Sequence, residues 1–224
     1  MTSVLGILGG TFDPVHCGHV ELARELRAAL DFSAVRFIPA GDPPHRAAPV
    51  ATAAQRLAMV ELAVEGIPGL EVDAREIRRA GRSYTVPTLE DLRDEAPARP
   101  LALIVGADAF LSLPKWHRWG EIFALAHIVV VARPGVVFDD ALLPPALAEQ
   151  WAQRLQQDAL ALRTSPAGAI VMQPITAHPI SASAIRTQLV RGSAGIAAVR
   201  GLLPAAVLAY IDRNQLYRSR PDAT

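Results

Sequence analysis

Apolar positions along the chain come in two rhythms that alternate. Short segments, Val4–Leu8, Val35–Pro39, Leu70–Asp73, Leu101–Val105, His127–Ala132 and Ala169–Gln173, have the length of strands, and Val4–Leu8 and Leu101–Val105 have the apolar run of buried parallel ones. Between them lie stretches with apolar residues at helical spacing. From His19 to Leu30 these are Val20, Leu22, Ala23, Leu26 and Leu30, with Glu21, Arg24, Glu25 and Arg27 on the other face. Ala53–Val64 is a second helix, opened by Thr52 and stopped by Gly66 and Pro68. Val86–Glu95 is a third, with Thr85 or Ser83 as its cap and Pro87 in its first turn. Glu121–Ala126, Leu147–Leu162, Ala182–Leu189 and Pro204–Asn214 complete the helical set. Strand–helix alternation of this kind predicts an α/β fold with a doubly wound parallel sheet and a small C-terminal helical part. The reading is one domain over residues 1–224, with residues 136–166 as an insertion or connecting helix and residues 180–217 as the C-terminal helical part.

Composition narrows the class. The 224 residues are 51% hydrophobic and 20% charged, enough for a sizeable core and unlike a disordered chain. The 22 basic and 22 acidic residues balance, so no bulk field draws the chain to nucleic acid or to an anionic membrane. Lys115 is the only lysine, so any phosphate chemistry rests on Arg, His and backbone amides. With Cys17 as the single cysteine no disulfide can form within the chain. There is no leader-like N-terminus, and the apolar runs fall far short of the roughly 20 residues of a spanning helix. A cytoplasmic setting is expected. Oligomeric state is left open, a homo-oligomer being compatible with the sequence.

Chemistry concentrates where the first strand meets the first helix, in Gly9-Gly10-Thr11-Phe12-Asp13-Pro14-Val15-His16-Cys17-Gly18-His19. In an open α/β sheet this junction lies at the carboxyl ends of the strands, where ligands bind. The glycines let backbone approach a ligand, and His16 and His19, three residues apart, share a face of the first helical turn. The helix start adds unpaired N–H donors and partial positive charge, and Gly18 leaves room between the histidines. These parts suit a polyphosphate. Neither a Walker A loop nor a G-x-G-x-x-G fingerprint is present. Asp13, His16 and His19 also form a conceivable metal set, but a fourth ligand is missing. Cys17 reads as an inert spacer, and His127 and His178 as structural.

The joint pattern resembles the H-x-G-H nucleotidylyltransferase superfamily. A distant second motif, Ile180-Ser181-Ala182-Ser183-Ala184-Ile185-Arg186, is similar to that superfamily's I-S-x-T-x-I-R, with Ser183 where Thr is common. Three middle segments sharpen the likeness: Pro43-Pro44-His45-Arg46, Ser83-Tyr84-Thr85-Val86-Pro87-Thr88-Leu89, and Gly106-Ala107-Asp108 leading to Leu113-Pro114-Lys115-Trp116. In this order they resemble the bacterial nicotinate-nucleotide adenylyltransferase family over residues 4–135 and 180–217. Pantetheine-phosphate adenylyltransferases share the first motif but lack the Trp116 segment.

The resemblance implies a Rossmann-like fold and the joining of nicotinate mononucleotide to the AMP part of ATP, with Mg²⁺ alongside the nucleotide. It places Gly9, Gly10, Thr11 and Phe12 in the nucleotide cleft, and Gly106 and Asp108 near adenine and ribose. His16 and His19 would meet the ATP phosphates, His19 at the α-phosphate, while Ser181, Ser183 and Arg186 would hold the departing pyrophosphate. His16, His19 and Arg186 would thus carry catalysis. On the acceptor side, His45 and Arg46 would approach from the Asp42–Val50 loop, Trp116 would stack on the pyridine, and Thr85 would receive its carboxylate. His117 stands where relatives often have Tyr, which leaves nicotinamide mononucleotide open as the acceptor. A nucleotide-binding sensor without turnover is the alternative of a different class.

Overall fold

Leu101, Leu103 and Val105 send their side chains to one face of a sheet and Ala102 and Ile104 to the other, so a strand buried on both sides reads as an unbroken apolar run. The computed structural model describes residues 3–44, 48–132, 138–176 and 178–218. In chain order the elements are β1 (Leu5–Gly10), α1 (Cys17–Ala29), β2 (Ala34–Pro39), α2 (Ala53–Val64), β3 (Leu70–Val72), α3 (Arg75–Arg78), α4 (Thr85–Glu95), β4 (Leu101–Gly106), α5 (Ala107–Leu111), α6 (Ile122–Leu125), β5 (His127–Ala132), α7 (Pro145–Arg154), β6 (Leu155–Gln156), β7 (Ile170–Pro174), α8 (Ala182–Leu189), α9 (Ser193–Ala198) and α10 (Ala205–Arg213). The seven strands form one sheet in the order β3-β2-β1-β4-β5-β7-β6, and every pairing is parallel.

β1 pairs with β2 on one side and β4 on the other. The winding reverses there, and the carboxyl ends of β1 and β4 part to leave a crevice. One face of the sheet packs under α1, α2, α8 and α10 through residues such as Leu26, Met59, Ile185 and Val207. The other packs under α4 to α7 through Leu89, Phe110, Ile122 and Trp151. The doubly wound parallel architecture matches expectation, with helices at the C-terminal end.

Several elements fall where the pattern puts them, among them α2, capped by Thr52 through its hydroxyl on the Gln55 amide. Three expectations need correction. The helix expected over Leu147–Leu162 is α7, Pro145–Arg154, because Leu155 turns extended and pairs with Ile170. α4 opens after Tyr84 with no side-chain cap, and Ser83 instead accepts a hydrogen bond from the Gly41 amide at 2.8 Å. Glu121 belongs to a 3₁₀ turn ahead of α6. The short helices α3, α5 and α9 had no periodic signal to announce them.

His127 is a structural staple. Its Nδ1 accepts from the Ala169 amide at 3.0 Å, so Nε2 carries the proton and donates to the Ser165 carbonyl at 2.9 Å. Burial holds this imidazole below its ordinary pKa. The unfolded chain therefore takes up a proton near pH 6.5 before the native state does, and stability present above that pH is lost as pH falls below it. We expect the stability gap between wild type and His127→Asn, measured by denaturant unfolding, to narrow between about pH 7.5 and about pH 5. A pH-independent gap would contradict a neutral native His127.

Candidate active site

The crevice at the switch point is a cavity of about 760 Å³, roomy enough for two nucleotide-sized ligands end to end. Its floor is the carboxyl ends of β1 and β4: Gly9, Gly10 and Thr11 from one, Gly106 and Asp108 from the other. His19 stands at one side. The far end is walled by Pro43, Pro44, Ser83, Tyr84, Thr85, Trp116 and His117. Of the residues expected at the nucleotide, Gly9, Gly10, Thr11, His19, Gly106 and Asp108 line this space together with Thr85, Trp116 and His117 from the acceptor side, whereas His16 is buried outside the lining.

His19 is held on three sides. Its Nδ1 accepts the His16 amide proton at 3.2 Å, so in the neutral ring Nε2 keeps its hydrogen as a donor. The His16 ring stacks on it at 3.7 Å between centroids, and Phe12 meets it edge-on at 5.1 Å. Phe12 is a correction to the expected cleft lining. It is buried with its backbone at φ 49°, and its ring packs on Phe37 and behind His19. Left-handed backbone costs a side-chain-bearing residue about 1 kcal/mol, which burial of the ring offsets. Gly10 is required beside it, because a Cβ there would come within 3.0 Å of the Phe12 ring. Gly18 corrects a second expectation, since its space is already filled. A Cβ would lie 3.2 Å from His16 Nδ1 and 3.4 Å from the His178 side chain. At Cys17, burial and then the Glu21 charge push the thiol up, which keeps it protonated and inert.

The second motif arrives at the same loop from the other end of the chain. Arg186, on α8, donates to the Asp13 carbonyl at 2.6 Å. Ser181 and Ser183 are exposed at the start of α8, their hydroxyls 2.7 Å apart. Arg186 thus touches the motif loop, and all three residues are outside the lining of the cavity. His45 and Arg46 lie outside the described residues.

Sequence reasoning missed the frame that holds this loop. Arg56 is buried on α2 and donates to the Thr11 carbonyl at 2.8 Å and the Gly41 carbonyl at 2.9 Å. Asp13 is no metal ligand, because its carboxylate accepts from the Val50 amide (2.8 Å), the Ala51 amide (3.1 Å) and the Tyr217 hydroxyl (2.7 Å). Among the described residues, no group of three or more His, Cys, Asp or Glu is placed to hold a metal ion. Tyr84 was also missed. Its ring lies tilted against His117 at 4.5 Å between centroids, giving the acceptor end a paired aromatic wall beside Trp116. Only its membership in the Ser83–Leu89 segment hinted at that role.

The class follows from how much of this geometry one family covers. The cytidylyltransferase-like family model matches residues 7–188, taking in both motifs and the cavity between them, and that makes the chain a nucleotidyltransferase by family. Relatives are more particular. A "Probable nicotinate-nucleotide adenylyltransferase" from Dechloromonas aromatica is 48% identical over 98% of this chain and 100% of its own. One of the same name from Laribacter hongkongensis is 48% identical over 98% of this chain and 96% of its own. The chain belongs to the nicotinate-nucleotide adenylyltransferase family. Among solved structures, Plasmodium falciparum nicotinic acid mononucleotide adenylyltransferase complexed with NaAD superimposes with a TM-score of 0.71 at 14% identity, covering 96% of this chain and 97% of that one. That likeness shows the fold.

Proposed function

We propose that this protein transfers the AMP part of ATP to nicotinate mononucleotide, forming the deamido dinucleotide and releasing pyrophosphate. The single observation that carries the reading is the continuous cavity, with phosphate-suited loop groups at one end and an aromatic wall beside the α4 amides at the other. Full-length relatives at 48% identity that bear this enzyme's name support it.

The attacking group is a phosphate oxygen of the mononucleotide, anionic at neutral pH. It forms a bond to the α-phosphorus of ATP as the bond from that phosphorus to the bridging oxygen breaks, and that oxygen leaves with pyrophosphate. No side-chain nucleophile or strong base is required. The protein has to hold two anions in line and neutralise charge on the reacting phosphorus and the leaving group. His19 Nε2–H and the His16 ring act at the α-phosphate. Arg186, already on the loop, acts with Ser181 and Ser183 on the β- and γ-phosphates. Gly9, Gly10 and Thr11 offer close backbone, and Gly106 and Asp108 take the adenosine. Thr85 lies in the first turn of α4, where free amides and the helix dipole favour a carboxylate. Trp116, with Tyr84 and His117 beside it, holds the pyridine by stacking. ATP enters as its Mg²⁺ complex, so the cation is part of the substrate, and no step is routed through a resident metal.

Pyrophosphate release tests the reading. With ATP and Mg²⁺, nicotinate mononucleotide should react at least about tenfold faster than nicotinamide mononucleotide at equal concentration. Equal rates would overturn the acceptor assignment. Absence of release with either would leave a nucleotide-binding sensor. No helix among the described residues is long and apolar enough to cross a membrane, so the assay needs no lipid.

A further inference from the structure

Glu76 is an acid in an unexpected place. It sits on α3 within the basic run Arg75–Arg79, a composition that reads as solvated surface. Instead it is 9% exposed and lines the cavity with Ser83, Tyr84, Thr85 and Thr88. Its Oε1 accepts the Thr88 hydroxyl at 2.8 Å, and Thr88 in turn accepts from Arg79 Nη1 at 2.9 Å. The Glu76 carbonyl also lies so close to Gly41 that a Cβ there would come within 2.4 Å of it. The carboxyl is thereby fixed at the junction of the Gly41–Pro44 loop, α3 and the start of α4. Among the described residues lining the cavity, only Glu76 and Asp108 are acidic, and none is Lys or Arg. Asp108 belongs to the β4 end. Among the described residues, the acceptor end therefore has one acidic side chain in its wall, Glu76.

We propose that Glu76 is a specificity-determining residue, whose charge state sets how strongly the acceptor end prefers a pyridine carboxylate over a pyridine carboxamide. This rests on the adenylyltransferase reading above. The two acceptors share ribose, phosphate and pyridinium, so only the carboxyl group feels the difference. An ionised Glu76 repels the anionic carboxylate and accepts from the amide. A protonated Glu76 removes the repulsion and can donate. Burial pushes this carboxyl above its usual range, against the Thr88 and Ser83 hydroxyls and Arg79, which favour the anion, and with Asp73, which disfavours it. His117 and Tyr84 are the other titratable side chains among the described residues lining this end of the cavity.

The test is the ratio of kcat/KM for the acid over the amide acceptor, in wild type and Glu76→Gln, from about pH 5 to about pH 9. Taking the ratio within each variant cancels losses common to both acceptors. Wild type should show the ratio falling as pH rises through the Glu76 titration. Glu76→Gln should flatten that dependence and raise the ratio at high pH by roughly fivefold, the size of a partly screened charge contact. A purely structural Glu76 would lower both acceptors together, leave the ratio and its pH slope at wild-type values, and overturn the proposal. Thr88→Val, which removes a donor to the anion but keeps the carboxyl, reports the structural part separately; it should keep the fall of the ratio with pH but move it to higher pH, and loss of the fall there would also overturn the proposal. Absence of turnover with either acceptor in wild type would overturn the adenylyltransferase reading and this proposal with it. Wild-type turnover with an unchanged ratio in Glu76→Gln would overturn this proposal alone.

Discussion

Replacing His19 with alanine should lower turnover at least a hundredfold while the protein stays folded. One preorganised donor at an oxyanion-type site contributes about 2.7–4 kcal/mol to the transition state, which is two to three powers of ten in rate. The geometry says which nitrogen supplies it. Nδ1 is engaged by the His16 amide and the ring is fixed between His16 and Phe12, so in the neutral ring the proton, and with it the donor, is at Nε2. Alanine also removes the acceptor of that amide, so the control is His19→Asn. Its shorter amide can keep an acceptor near the Nδ1 position and has nothing at Nε2. Steady-state kinetics with thermal melts should find His19→Asn folded and as slow as the alanine variant. Near-normal turnover in either would remove His19 from catalysis.

The second large effect is on stability. Asp13→Ala should cost about 3–5 kcal/mol in denaturant unfolding, because the Val50 and Ala51 amides and the Tyr217 hydroxyl all lose their acceptor in a buried place. Tyr217→Phe removes only one donor and should cost about 1–2 kcal/mol. The two share one bond, so the double variant should be less damaged than the sum of the single ones. Burial and then the Asp13 charge push the Tyr217 hydroxyl well above its ordinary pKa, so it stays a donor throughout the working range. Since the Asp13 carbonyl holds Arg186, turnover should fall along with stability. Additive stability losses, or full activity in Asp13→Ala, would show that the hub does not organise the loop.

Local features were legible in the chain. Strand runs such as Leu101–Val105, the Thr52-capped helix and the Gly-Gly to His-x-Gly-His junction are each set by neighbours within a few residues. Periodicity, capping chemistry and helix-face spacing act over that range. The two motifs at opposite ends of the chain pointed to one phosphate site, and Arg186 does reach the first motif.

Other features depended on partners far away in sequence. Leu155 leaves its helix because Ile170 offers a strand edge. Ser83 gives up capping α4 for the Gly41 amide, 42 residues away. Asp13, in sequence only a conceivable ligand, is a hub tied to Tyr217, 204 residues on. Glu76, in an arginine-rich run, carries no mark of burial in its neighbours. The sequence by itself determined six of the seven strands, most of the longer helices and the residue types of the proposed phosphate site. The tertiary structure alone decided which polar groups were already satisfied by distant partners and which still faced the cavity, because hydrogen-bond satisfaction and desolvation depend on the whole packed surroundings of an atom.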